Sequence, residues 1–339
     1  MNSKILLYVL VFIVFTGFNL AKVVTQFGEV GKPYSLIIDK DQIFITEGTT
    51  IYIYSKKDFK LQKKFRKRGE GPKEFKSFAT IYVLPDSLQI NSMGKVSFYT
   101  RNGEFIKESR LKLGILELYP YGDQFLGIHN IEDMARYIAI SIFDSKYQEK
   151  KRISKTKFFF QASRPGGNLD PIALAGPDGG CGSVPICRDK FFRENNGIFE
   201  AYDLVKNKIA YSFPLKIEKI KVTESDKNRY LNFFKKHPNT KERFDSLKKM
   251  FKFPEYFPLI RRSFIKDEKI YIRTYKIKDD KSEFYIFDIK GKLLKKLFLP
   301  IVEQNAIDKY PYTIHNNKIY QLVDNEDEEV WELNVFAIE

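Results

Sequence analysis

The sequence predicts an all-β fold, a six-bladed β-propeller closed by its N-terminal strand, with a helical insertion between blades 4 and 5. Three observations carry this reading. Units of roughly 40 to 50 residues recur along the chain, a spacing typical of propellers and arrays. Aromatic residues make up 15% of the 339 residues, 31 Phe and 20 Tyr against one Trp, and such side chains suit pleated, half-buried surfaces. The last unit is one strand short, and the segment Lys22-Val23-Val24-Thr25-Gln26-Phe27 can supply that strand. Closure of this kind removes the exposed edges of an open array.

Residues 1–21 read as a targeting segment. Lys4 precedes an apolar run, Ile5 to Phe18, interrupted only by Tyr8, Thr16 and Gly17. The run is long enough for a signal-peptide core and short for a spanning helix. Ala21 suits a cleavage point and Asn19 does not, so a cleaved signal peptide and an uncleaved N-terminal anchor both stay open. No cysteine follows the run, which disfavours a lipoprotein anchor. The expectation is an exported protein (periplasmic, secreted or cell-surface) whose domain, 22–339, is monomeric and touches a membrane only through an uncleaved N-terminus.

The units follow in order. The first carries Gln42 to Ile45, Thr50 to Tyr54 and Lys60 to Arg66. The second carries Ser87 to Ile90, Lys95 to Tyr99 and Glu104 to Leu111, with an Asn102-Gly103 hairpin signal between the last two. The third has Gln124 to Ile128, Tyr137 to Phe143 and Gln148 to Ile153. Lys190 to Arg193, Gly197 to Leu204 and Ile209 to Leu215 form the fourth. The fifth has Lys269 to Ile272, Glu283 to Asp288, a Gly291 turn and Lys292 to Leu299. Lys318 to Leu322 and Val330 to Phe336 make the sixth.

Between the first two units lies Arg68-Gly69-Glu70-Gly71-Pro72-Lys73-Glu74-Phe75. Gly69 and Gly71 permit close backbone approach, Pro72 fixes φ, and Phe75 offers an apolar wedge between neighbouring sheets. A phosphate-binding glycine loop would have to open a helix, whereas a strand follows here. Gly69, Gly71, Pro72, Glu74 and Phe75 resemble the G-x-G-P-G-E-F signature of exported bacterial six-bladed propellers related to NHL-repeat proteins. Lys73 stands where that signature has glycine. The resemblance implies the fold and an exported location over roughly residues 22–339. It implies no reaction.

Two insertions break the rhythm. Residues 223–258 read as helical, with Thr223 and Asp226 as an N-cap pattern and Tyr230, Leu231, Phe233 and Phe234 on one face. Pro238 and Asn239 break the helix, and Phe244, Leu247, Met250 and Phe251 restart the period. Such a stripe usually packs on its own domain, with a partner or membrane as the other possibility. Propellers of the resembled family carry an insertion at a matching place, and Pro254 to Pro258 is similar to their return into the next blade.

The second insertion, 163–189, is rich in glycine and proline and holds both cysteines, Cys181 and Cys187. In an exported protein a Cys181–Cys187 disulfide is the simplest reading; free thiols remain open, and a metal site lacks further Cys or His nearby.

No nucleophile elbow, His-Glu-x-x-His or cysteine–histidine pair is present. The three histidines, His129, His237 and His315, read as structural or surface residues. The acidic run 324–329 could attract calcium but lacks the ligand spacing of an EF-hand, so it reads as a hairpin tip and no cofactor or metal is assigned. Net charge is +15, with lysines scattered along the strands. Such scattering suits a solvated surface; of the polyanions a basic chain attracts, nucleic acid is disfavoured for an exported one, and anionic lipid headgroups and acidic envelope polysaccharide stay open. The leading expectation is a non-enzymatic scaffold for a protein or carbohydrate ligand. The alternatives are a hydrolase or lyase at the channel mouth, with Asp170, Asp178, Arg164 and His129 as candidate residues, and an envelope-associated binder of anionic polymer.

Overall fold

The computed structural model describes residues 22–76, 78–112, 114–131, 137–157, 170–172, 186–195, 197–305 and 309–338. Their strands form six four-stranded antiparallel sheets. Blade 1 is β2 (Ser35–Asp39), β3 (Gln42–Glu47), β4 (Thr50–Ser55) and β5 (Leu61–Arg66). Blade 2 is β6 (Thr80–Val83), β7 (Ser87–Ser92), β8 (Lys95–Thr100) and β9 (Phe105–Arg110). Blade 3 is β10 (Ile115–Tyr121), β11 (Gln124–Ile131), β12 (Tyr137–Phe143) and β13 (Glu149–Lys157). Blade 4 is β14 (Ile186–Cys187), β15 (Lys190–Asn195), β16 (Ile198–Asp203) and β17 (Lys208–Pro214). Blade 5 is β18 (Arg262–Lys266), β19 (Lys269–Lys278), β20 (Lys281–Asp288) and β21 (Leu293–Leu299). Blade 6 takes β22 (Tyr312–His315), β23 (Lys318–Asn325) and β24 (Val330–Ala337), and its outermost strand is β1 (Lys22–Phe27).

That last pairing is the expected closure. β1 runs antiparallel to β24, from Lys22 opposite Val335 to Phe27 opposite Trp331. Phe27 is 1% exposed and packs with Trp331, whose indole Nε1–H donates to the Gly31 carbonyl at 2.8 Å. The first and last strands of the described residues therefore share one blade.

Within each blade the chain runs from the channel outward. In blade 1 the second and third strands are almost wholly buried, and the fourth is largely exposed. Alternation explains why both faces of a middle strand are apolar. Ile43 and Ile45 of β3 pack against blade 6, while Phe44 between them packs against blade 2.

The motif at 69–75 works as a wedge. Phe75 is 1% exposed and sits among Phe44, Ile51 and Ile53 of blade 1 and Ile81, Leu88 and Ile90 of blade 2. Glu74 folds back so that its Oε2 accepts from the Gly71 N–H at 2.8 Å. A Cβ on Gly69 would lie 2.1 Å from that oxygen, and one on Gly71 2.9 Å. The two glycines are thus the space in which the Glu74 carboxylate sits.

The helical insertion folds as read. Helix α1 (Glu224–Lys236) starts at a capping box in which Thr223 and Asp226 satisfy each other's backbone N–H groups. It stops at His237, ahead of Pro238, and after a short 3-10 turn α2 (Phe244–Met250) follows. Tyr230, Phe234 and Phe244 are buried with Ile172, Val222 and Phe257. The stripe packs on its own domain, and it also holds down the described piece of the Gly/Pro-rich loop.

The acidic run forms the β23–β24 turn. Gln26 of β1 donates to Glu328 there at 2.6 Å, which ties the closing strand to this turn. The Cys181–Cys187 reading rests on Cys181, which lies outside the described residues; Cys187 ends β14.

Candidate functional site

The connections from each outer strand to the next blade, and the turns between second and third strands, emerge on one face. We call it the mouth face. Exposed large apolar side chains gather there: Phe78 at 63%, Met93 at 66%, with Tyr34, Leu116, Ile198, Tyr256, Ile277 and Val302. Others lie along outer strands, and among the described residues only Val205 sits in a turn of the opposite face. Tyr34 and Phe78, from the entries to blades 1 and 2, meet edge to face at 5.5 Å. The Tyr34 hydroxyl donates to the Ala79 carbonyl.

Beneath these rings, polar groups line the wall between blades 2 and 3. Glu117 of β10 accepts from the Tyr82 hydroxyl at 2.9 Å and from the Asn91 amide at 2.5 Å. Gln89 and Asn91 both also donate to the Leu118 carbonyl, at 2.8 and 2.7 Å. Burial pushes the Glu117 carboxyl above its ordinary range, against the pull of the Asn91 and Tyr82 hydrogen bonds. A carboxylate in such surroundings can give or take a proton nearer neutrality than an exposed one.

The opposite wall, between blades 5 and 6, is cationic. Arg261 and Arg273, 2% and 1% exposed, both donate to the Glu303 carboxylate, the latter at 2.5 Å. Arg273 also donates to Ser282 at 2.8 Å. Arg262 opens β18 and lies over the rings of Phe264 and Tyr312, 4.5 Å from each centroid. Burial pushes the Lys309 amine, in the connection to blade 6, down to about 8.

Two of the four residues singled out in the sequence are described. Asp170 accepts from the Ile172 N–H at 2.9 Å. Asp170 is within electrostatic reach of Tyr275, over whose ring Arg261 of the cationic wall lies at 5.3 Å. His129 lies elsewhere, buried on the face of blade 3. Its Nε2 is 2.9 Å from Ser141 Oγ, which donates to Glu149 at 2.9 Å. The trio has the residue types of a hydrolase triad, but Ser141 is 0% exposed, and no substrate reaches a nucleophile so enclosed. Burial lowers the His129 pKa, against the pull of the Glu149 carboxylate. Arg164 and Asp178 lie outside the described residues. Sequence reading missed Glu117, Tyr82 and Arg262 altogether; a charged residue breaking an inner strand was the one signal available.

No helix of the described residues is long and apolar enough to cross a membrane. No family model matches the chain, and no curated protein matches its sequence. Among solved structures, a protein of Bacteroides fragilis described as a "Putative exported protein" superposes with a TM-score of 0.53 at 12% identity, covering 93% of this chain and 92% of that one. A luciferin-regenerating enzyme gives 0.46 at 10% identity over 94% and 95% of the two chains. The WD40 domain of Neurospora crassa Pan2 gives 0.44 at 8% over 90% and 89%. The first likeness shows a shared fold, and the sheet order makes that fold a six-bladed β-propeller.

Proposed function

We propose that this chain is an exported binding propeller that takes a protein or carbohydrate ligand on its mouth face. The observation that carries the reading is the one-sided distribution of exposed apolar groups. Tyr34 and Phe78 touch and form an exposed apolar pair on this face, and exposed apolar surface of this kind is where soluble proteins bind partners. Aromatic rings such as Tyr34 and Phe78 are common anchors both for sugars and for peptide side chains. The apolar run at 5–18 and the signature at 69–75 support export and kinship with NHL-like propellers. The test is binding of residues 22–339 to glycan and peptide arrays. Phe78→Asp is expected to abolish any signal and Val205→Asp, on the opposite face, to leave it intact. Equal loss in both, or loss in neither, contradicts the reading.

One observation favours an enzyme as the second reading. Glu117, its proton affinity raised at the mouth, is placed as a general acid or base for a hydrolase or lyase. Turnover of a panel of lactones, sugar esters and glycosides by the wild type, abolished in Glu117→Gln, would establish it. Turnover that survives the substitution would remove Glu117 from the chemistry.

A further inference from the structure

Resting on the mouth as the binding face, we propose that the wall between blades 5 and 6 holds a carboxylate-binding site built from Arg262 and the Tyr312 hydroxyl. Both residues open inner strands, β18 and β22, and these strands pack against one another beside the channel. The site is therefore at the entrance to the channel and not within a blade.

Arg262 sits over a tilted pair of rings. Its Cζ lies 4.5 Å from the Phe264 centroid and 4.5 Å from that of Tyr312, and the two centroids are 5.2 Å apart, so both rings lie to one side of the guanidinium. Its N–H groups remain for acceptors, which a carboxylate meets in a two-point contact.

Other enclosed arginines of the chain have such an acceptor. Arg101 meets Asp39 at 2.8 Å, Arg193 meets Glu200 at 2.6 Å, and Arg261 and Arg273 share Glu303. Among the described residues no carboxylate lies within ion-pair distance of Arg262. The Tyr312 hydroxyl is buried, its residue 2% exposed; it lies within reach of the Arg262 guanidinium, and no acceptor for its own proton is found among the described residues. A buried hydroxyl proton without an acceptor is costly, and the part-buried Arg262 guanidinium adjoins this one. One anion would meet both.

The charge balance selects the anion. Arg262 is one cation with one neutral donor beside it, since Arg261 and Arg273 already face Glu303. That suits a monoanion better than a doubly charged phosphate. Burial lowers the pKa of Arg262, Tyr312 pulls it back up and Arg273 lowers it, so an incoming negative charge relieves the burial and the Arg273 repulsion. Phe264 and Tyr312 would flank the ligand with apolar surface. Uronic acids and peptide C-termini both bring a carboxylate, and the probes separate them.

The experiment is calorimetric titration of residues 22–339 with glucuronate and with an N-acetylated dipeptide, each beside its neutral counterpart, glucose and the dipeptide amide. Binding of at least one carboxylate probe, and of neither neutral one, is expected. Arg262→Gln should weaken that binding about tenfold or more, the scale of a lost charge-assisted contact. Tyr312→Phe should weaken it several-fold, and it retains the ring that flanks Arg262. If Arg262→Gln does not fold by circular dichroism, Tyr312→Phe decides. Protection of wild-type Arg262 from an arginine-selective dicarbonyl by the carboxylate probe must then accompany it. Binding unchanged in the folded variants, equal binding of neutral probes, or no binding at all overturns the site. An array signal lost in Phe78→Asp but untouched in Arg262→Gln would sink the carboxylate site alone and leave the binding face standing.

Discussion

Lys73 holds φ at +61°, a left-handed conformation that glycine adopts freely and a lysine does not. The resembled signature has glycine at this position, a residue that suits such a backbone. Two contacts offset the cost: the Lys73 N–H donates to Glu108 at 2.9 Å, and its Nζ lies 4.7 Å from the Phe105 centroid. Lys73→Gly and Lys73→Ala both remove the ring contact, so their difference isolates the backbone. Denaturant unfolding should find Lys73→Gly more stable than Lys73→Ala by about 1 kcal/mol. Glu117 gives the second prediction at this scale. A carboxyl whose folded pKa is raised binds more protons folded than unfolded, so stability falls as pH climbs through the interval above the ordinary value of 4.5. Glu117→Gln keeps an acceptor for Tyr82 and Asn91 without the charge. Its melting temperature should exceed wild type at pH 7, and the gap should close as pH drops below that ordinary value. Gly69, Gly71 and Phe75 were legible as structural residues because turn chemistry is local. The environment of His129 was not, since Ser141 and Glu149 reach it only through the pairing of β11, β12 and β13.

At the scale of the element, the outer strands explain the lysines. In blades 1, 2 and 5 a lysine of the fourth strand lies over the ring of its directly paired residue in the third. These pairs are Lys64 on Tyr52 at 4.8 Å, Lys107 on Phe98 at 5.2 Å and Lys296 on Tyr285 at 5.0 Å. The lysine stems cover aromatic surface that a last strand would leave wet, and the ammonium groups stay in solvent. Lys296 does more, since its Nζ is 3.1 Å from the carboxylate of Glu283, which is 0% exposed. Lys64→Met is expected to cost under about 1 kcal/mol. Lys296→Met should cost about 2 kcal/mol, below the range for breaking a fully buried pair because Lys296 itself is half in solvent. Equal effects in the two variants would contradict the distinction. The second and third strands of each blade were readable from their alternation. The inner strands β2, β6, β10, β14, β18 and β22 were not, because most are short and of mixed polarity; β14 spans two residues, β18 begins with a charge, and the longer β10 carries Glu117 and Pro120.

For the whole molecule, closure and the mouth are the two consequences of the fold. Phe27 is the apolar anchor of the closing strand, and Phe27→Ala should cost about 3–5 kcal/mol and promote association through the edge of β24. Sedimentation together with thermal unfolding would check both. The rim lysines leave a net positive outer surface, so any binding to anionic polymer through them should fade as salt is raised. The ring of six units could be read along the chain because each repeats a local pattern. The candidate site could not, because Tyr82 and Glu117, or Arg262 and Tyr312, belong to different blades and meet only when the ring is assembled. The measurement that bears most directly on the mouth as the binding face is a crystallographic soak of residues 22–339 with a fragment library of sugars, short peptides and small carboxylates. Fragments are expected at the mouth, near Phe78, Tyr34 and the Arg262–Tyr312 wall. Fragments confined to the rim or to the face of Val205 would contradict the account.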